Sequence, residues 1–292
     1  MTSFYFAYAS NLNSAEWESW CREKHLDPRS IEPLSPAWLP DHRVAFTRFS
    51  NARQSGVLDI LPALGCLVPG IIFRVNPGGW PALHRKEGSP GAYRRVSRLC
   101  LTRHGKAYSV RTYEVRPEQR RDFVPPAPAY LEIVKAGLEA WNLPHNHITR
   151  AAANLPPEPL DAVFVYGTLR RGQPLHHHLA TARAEFPATA PGRLFDCGDF
   201  PAMALPAPGA TTLVKGELVL LPNIATLSQL DEVEGFAGFS GEPSLFLRRL
   251  IEVSLADGNV RRAWVYLGGT ALDTPRPEIP SGDWLAHLAH RR

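Results

Sequence analysis

A chain of 292 residues, 44% hydrophobic and 21% charged, has the make-up of a globular protein with room for two domains or one large one. Lys and Arg exceed Asp and Glu by four, but the basic residues are scattered as pairs (Arg94-Arg95, Arg170-Arg171, Arg248-Arg249), which predicts a solvated mixed surface and argues against a nucleic-acid partner. Met1 is followed almost at once by strand-like sequence, without a basic leader or long apolar segment, and Cys21, Cys66, Cys100 and Cys197 show neither close pairing nor zinc spacing. A cytoplasmic protein with no membrane segment is expected.

The first element is FYFAYASNLN, an aromatic strand that stops on small polar groups. A long irregular segment follows, then VPGIIFRV, a strand behind a Gly, and NPGGWPALHRKEG, a turn and short helix ending in Glu87-Gly88. YRRVSRL and a hairpin at HGKAYSV complete the run. In PAYLEIVKAGLEAWNLP, Leu131, Val134, Leu138 and Trp141 recur at helical spacing, so a helix is expected to lay one face on the sheet and to end at Pro144. NLPPEPLD reads as an extended linker, placing domains at 1–153 and 160–292.

The plan then repeats. DAVFVYGTL opens a fresh strand, VKGELVLL matches VPGIIFRV, and LPNIATLSQLDEVEG matches NPGGWPALHRKEG, with Leu83 to Leu230 and Glu87 to Glu234 separated by the same interval. LRRLIEVSL and a hairpin at ADGNVRRAWVY follow. Many short strands and few helices predict an α+β protein of two tandem domains, each a mixed β-barrel flanked by a few helices. The helix carrying Tyr130 has no expected counterpart in the second half.

A strand ending in a small-residue loop exposes backbone N–H groups able to hold a carboxylate or an oxyanion, and YASN and YGTL both suit that role. Glu87 and Glu234 each close a helix at the negative end of its dipole, with Gly88 and Gly235 as left-handed caps, an arrangement expected to raise their pKa. His176, His177 and His178 are adjacent and cannot converge on one metal from a regular helix, so no metal is expected. His84 reads as a surface residue, and Tyr93 and Tyr113 as packing or pocket-flanking tyrosines.

Together, FYFAYASNL, KEGSPGAY and VPPAPAYLEIVKAGLEAWNLP resemble the gamma-glutamylcyclotransferases over residues 4 to about 145. VFVYGTLRRGQP, FPAM, LDEVEGF and LRRLIEV are similar to the gamma-glutamylamine cyclotransferase and AIG2-like group over about 162 to 268. The resemblance implies a barrel with its pocket at the strand ends, no metal and no organic cofactor, and a small-molecule gamma-glutamyl substrate. It implies a glutamyl-binding loop at Tyr5, Phe6, Ala7, Tyr8, Ala9 and Ser10, with Glu87 as acid/base and Tyr130 lining the pocket. In the second copy Tyr166, Gly167, Thr168 and Leu169 form the matching loop and Glu234 is the corresponding carboxylate.

The implied activity is a lyase-type cyclisation, an internal acyl transfer releasing 5-oxoproline. Three readings stay open: that cyclisation, hydrolysis or acyl transfer at the same pocket, and a non-catalytic binding protein that kept the fold. Ala9 stands where the family has Gly. If the position needs positive φ, Ala is strained; if the Gly only admits a ligand, one methyl narrows the site.

Overall fold

The computed structural model describes residues 3–291. The chain forms two compact units, Met1–Cys100 with Tyr108–Pro159, and Leu101–Ala107 with Leu160–Arg292. In the first, β1 (Ser3–Ala7) leads through a short 3-10 turn to α1 (Ser14–Glu23), then β2 (Ile31–Ser50), β3 (Ser55–Val75), α2 (Gly79–Glu87), β4 (Tyr93–Leu101), β5 (Ala107–Val115), α3 (Pro128–Glu139) and α4 (Asn146–Ala152). The expected long irregular segment is therefore a helix and a long hairpin. Asn13 caps α1 by accepting from the Glu16 N–H at 3.1 Å.

The second unit holds β6 (Ala162–Val165), β7 (Ala184–Pro191), β8 (Arg193–Asp196), β9 (Pro201–Ala204), β10 (Leu213–Leu220), α5 (Ala225–Val233), β11 (Phe246–Leu255), β12 (Val260–Gly268) and α6 (Trp284–Arg291). β8 and β9 form a separate two-stranded sheet; the other five strands close a barrel.

The first barrel runs β1-β3-β2-β4-β5 and the second runs β6-β10-β7-β11-β12 around the ring, so every strand of one has a counterpart at the same place in the other. β1 is antiparallel to β3 and parallel to β5; β6 is antiparallel to β10 and parallel to β12. The shared glycine has a shared cause. A Cβ on Gly70 would sit 2.1 Å from the Ala7 carbonyl oxygen and 2.7 Å from the Phe6 ring, and one on Gly216 2.3 Å from Val165 O and 2.7 Å from the Phe164 ring. Each glycine lets a phenylalanine of the neighbouring strand lie flat across the sheet, where a methyl has no room.

In the first barrel Asp59 is fully buried. Its carboxylate accepts from the Val115 and Ile60 N–H groups at 2.8 Å, Thr47 Oγ1 at 3.0 Å and Arg120 Nε at 2.7 Å, so a buried charge is satisfied by donors on three strands and a loop. In the second barrel Trp264 is fully buried and its indole donates to Leu160 O at 3.1 Å.

Three expectations are corrected here. α3 ends at Glu139, five residues before Pro144, because Asn142 turns the chain at φ 52°. Its buried face, with Tyr130, Val134 and Leu138, includes Gly137, where a Cβ would meet Asn13 N at 2.8 Å and Leu12 Cβ at 2.9 Å. The helix thus seats on the loop after β1. Trp141, beyond the helix, donates to Leu12 O at 3.3 Å, and Asn13 Nδ2 to Ile133 O at 3.2 Å. Second, the second copy does end in a helix, α6, although it carries Trp284 in the core and no tyrosine. Third, Arg248 of an expected surface pair is fully buried, because Asp231 Oδ2 takes its guanidinium at 2.7 Å and the rings of Phe236, Phe239 and Trp264 surround it at 5.0, 5.2 and 4.8 Å.

Among the described residues no helix is long and apolar enough to cross a membrane. The four cysteines are free thiols, and no His, Cys, Asp and Glu cluster suited to a metal occurs among the described residues. His176–His178 lie in a 3-10 turn, with His176 half-buried 3.6 Å from Glu185.

Candidate active site

β1 carries Tyr5, Phe6 and Ala7 into the barrel wall, all buried, and delivers Tyr8, Ala9 and Ser10 to a tight turn that closes through Leu12 N–H on Ala9 O at 2.9 Å and Asn13 N–H on Ser10 O at 3.1 Å. Strand and turn are fixed to the neighbouring β5: Tyr8 donates to Tyr113 O at 2.8 Å, and Thr112 Oγ1 donates to Phe6 O at 2.8 Å. The second copy repeats the anchor, with Tyr166 donating to Tyr266 O at 2.6 Å.

Ala9 has a negative φ of −123°, outside the left-handed region that favours glycine. The strained alternative for this alanine is thereby excluded. Gly167 also lacks a positive φ, yet a Cβ there would press on Pro201 at 2.6 and 2.8 Å, so the second copy needs its glycine for space rather than for backbone conformation.

Opposite the first turn, α2 ends at Glu87 and Gly88 turns the chain at φ 60°. Asn11 Nδ2 donates to Glu87 Oε1 at 2.8 Å and to the Tyr5 hydroxyl at 2.9 Å, tying loop, strand and helix end together. Glu87 is half-buried as a residue, but its carboxyl is enclosed by protein. Burial pushes its pKa up to about 7, against the opposing effects of Lys86, the Asn11 hydrogen bond, Arg53 and Arg48. Removal from water, rather than the helix dipole expected from sequence, is the leading cause.

Tyr130 is buried on α3, accepts from the Leu58 N–H at 3.4 Å and lies beneath the Arg53 guanidinium at 4.9 Å. Tyr93 donates to the Leu58 carbonyl at 2.7 Å, so both tyrosines grip one residue of β3. The Tyr113 hydroxyl is buried without a hydrogen-bond partner among the described residues. His84, expected at the surface, is half-buried and packs edge-on against the Tyr113 ring at 5.7 Å.

In the second copy the four loop residues Tyr166, Gly167, Thr168 and Leu169 and the carboxylate Glu234 line one cavity of about 410 Å³, together with Tyr266 and apolar walls that include Phe200, Pro201 and Phe246. Glu234 follows α5 and Gly235 turns at φ 60°. Its carboxyl has no hydrogen-bond or ion-pair partner among the described residues, and burial alone pushes its pKa up to about 8. Tyr266 donates to Asp231 Oδ1 at 2.7 Å, joining the cavity wall to the buried Arg248.

The structure therefore brings the loop of each copy to the carboxylate of the same copy. Asn11, Lys86, Asp231 and Tyr266 were not among the site residues expected from sequence, whereas Tyr113 was read as a packing or pocket-flanking tyrosine. Asn11 was legible as the last residue of YASN, and Asp231 as the residue at the interval from His84 that separates Glu87 from Glu234. The burial of Lys86 had no local signal.

Residues 163–286 match the model of the family described as gamma-glutamyl cyclotransferase, AIG2-like. No curated protein matches the chain. Among solved structures the chain is similar to a gamma-glutamyl cyclotransferase, 24% identical over 54% of this chain and 90% of that one, with a TM-score of 0.44. It is also similar to the uncharacterized protein loc79017 from Homo sapiens, 25% identical over 54% of this chain and 89% of that one at a TM-score of 0.45. An AIG2-like protein from Mus musculus is 26% identical over 40% of this chain and 85% of that one, at a TM-score of 0.33.

Proposed function

We propose that the protein is a gamma-glutamylcyclotransferase with two sites, one in each of two tandem domains, that convert gamma-glutamyl amino acids, peptides or amines to 5-oxoproline and the free amine. The observation that carries this reading is the repeated pairing of a strand-end loop with an enclosed carboxyl whose pKa lies near neutrality, about 7 at Glu87 and about 8 at Glu234. A base poised there is matched to proton transfer at working pH.

The alpha-amine of a gamma-glutamyl compound reaches its own gamma-carbonyl and closes a five-membered ring. As an ammonium it has no lone pair to attack with. Ionised Glu87 takes a proton from it, the nitrogen adds to the carbonyl carbon, and the oxygen gains the electron pair. Collapse re-forms the carbonyl and breaks the original amide bond as the protonated glutamic acid gives its proton to the leaving nitrogen; the freed carboxylate then takes the surplus proton from the ring nitrogen and passes it to the departing amine, which leaves as an ammonium. Backbone N–H groups of the YASN turn support the oxyanion or the alpha-carboxylate. The nucleophile belongs to the substrate, so holding it folded contributes on the order of 7 to 11 kcal/mol of the barrier. In the second copy Glu234 takes the same part above the YGTL turn.

The supporting experiment is incubation with a panel of gamma-glutamyl amino acids, peptides and amines, with product identification. Formation of 5-oxoproline, abolished in the double variant Glu87→Gln/Glu234→Gln, is expected. Free glutamate or a transferred gamma-glutamyl amide would assign the pocket to hydrolysis or acyl transfer instead. Ligand binding with no turnover by wild type would leave a binding protein.

A further inference from the structure

The two loops align Asn11 with Leu169, and the interval from Glu87 to Glu234 aligns Lys86 with Val233. Leu169 and Val233 both line the second cavity. Where the second copy offers two apolar side chains, the first offers an amide and an ammonium. Both polar groups are incompletely satisfied: Lys86 Nζ and Asn11 Oδ1 are buried without a hydrogen-bond partner among the described residues.

The Lys86 ammonium lies 5.6 and 5.0 Å from the ring centroids of Trp17 and Trp20, which stack on each other along α1. Aromatic faces attract a cation but accept no N–H hydrogen bond of ordinary strength. The carboxylates in reach are engaged elsewhere: Glu16 pairs with Arg53 at 2.5 Å, and Glu87 accepts from Asn11 at 2.8 Å. Arg48, whose guanidinium lies 5.7 Å from the centre of the Tyr93 ring, adds a further positive charge and also has a buried Nε without a hydrogen-bond partner. A buried ammonium with no acceptor is a standing cost that an arriving anion removes.

We propose that Lys86, adjacent in the chain to Glu87, and Asn11, which bonds the Glu87 carboxyl, form a carboxylate-binding subsite in the first copy that the second copy lacks. This rests on the reading of Glu87 as the centre of a gamma-glutamyl site. Lys86 supplies the charge-assisted donors, and the unpartnered Asn11 oxygen accepts from a substrate N–H or ammonium. A gamma-glutamyl amino acid carries two carboxylates, one on the glutamyl part and one on the leaving part.

The test is calorimetric binding to the Glu87→Gln/Glu234→Gln protein with and without Lys86→Met, which keeps the aliphatic stem over Trp17 and Trp20. Three ligands separate the sources: gamma-glutamylalanine, gamma-glutamylethylamine without the leaving-side carboxylate, and 4-aminobutanoylalanine without the glutamyl carboxylate. Lys86→Met is expected to weaken gamma-glutamylalanine by about tenfold or more at one of two sites. It should also weaken whichever truncated ligand keeps the carboxylate that Lys86 holds, and leave the other unchanged. Lys86→Arg should retain most of the affinity. Equal weakening of all three ligands, or of none, overturns the subsite. Carboxylate-selective binding without 5-oxoproline from wild type would sink the cyclotransferase reading and leave the subsite standing; turnover with selectivity unmoved by Lys86→Met would do the reverse.

Discussion

Asn11 reaches Glu87 from the turn after β1, whereas at the same place in the second copy Leu169 presents only methyl groups to the cavity that holds Glu234. One helical turn earlier the relation inverts. His84 of the first copy lies edge-on to Tyr113, whose hydroxyl is left over, while Asp231 of the second takes the Tyr266 hydroxyl and a buried arginine. The first copy thus spends its hydrogen bonding on the carboxyl and keeps a spare tyrosine; the second secures its tyrosine and leaves the carboxyl alone. A duplicated fold has kept the strand ring and the position of the acid, and has varied the groups that tune it.

Moving one copy toward the other tests that contrast. Asn11→Leu removes the N–H that favours ionised Glu87, so the pKa should climb from about 7 toward the value of about 8 seen at Glu234. At pH 7 the fraction of Glu87 able to accept a proton falls, and first-copy kcat/KM, measured in a Glu234→Gln background, should drop by up to about tenfold and recover at higher pH. A loss that is flat with pH would point to misplacement of the loop, or to loss of the Asn11 contact with substrate, instead.

The tyrosine pair should respond in opposite directions. Tyr266→Phe takes one donor from the half-buried Asp231 carboxylate and should cost about 1 kcal/mol or more, read as a fall in Tm of about 2–4 °C per kcal/mol. Tyr113→Phe removes a buried hydroxyl with no partner among the described residues and should leave Tm unchanged or higher. Equal destabilisation by both would mean that the Tyr113 hydroxyl is satisfied in solution.

A smaller effect separates the loop residues. Gly167→Ala pushes a methyl onto Pro201 and should destabilise the second copy by about 1 kcal/mol or more, whereas Ala9→Gly should change first-copy kcat/KM less than threefold and cost only about 1 kcal/mol at most in chain entropy. A large gain in rate from Ala9→Gly would show that the methyl narrows the site.

Much of this was legible in the chain. The aromatic strands, the Gly of VPGIIFRV and VKGELVLL, and the constant interval between the leucines and glutamates give the repeat, since each is enforced by local packing that recurs in both barrels. The strand ring and the long β2–β3 hairpin were not, because register over twenty residues is set by partners far apart in sequence. The place of Lys86 was hidden for a related reason: nothing beside it says that two tryptophans on another helix will cover it. Arg248 looked like half of a surface pair because the rings that enclose it come from a loop and a strand that meet only in the fold.

The most direct measurement of two separately tuned sites is the pH dependence of kcat/KM for 5-oxoproline formation in the two single variants. Each carboxyl must be ionised to take the ammonium proton, so activity rises with pH through its pKa. Glu234→Gln should leave turnover rising through about pH 7, and Glu87→Gln should leave turnover rising through about pH 8. Turnover with the same acid limb in wild type and in both single variants, or persisting in the double variant, would contradict the account.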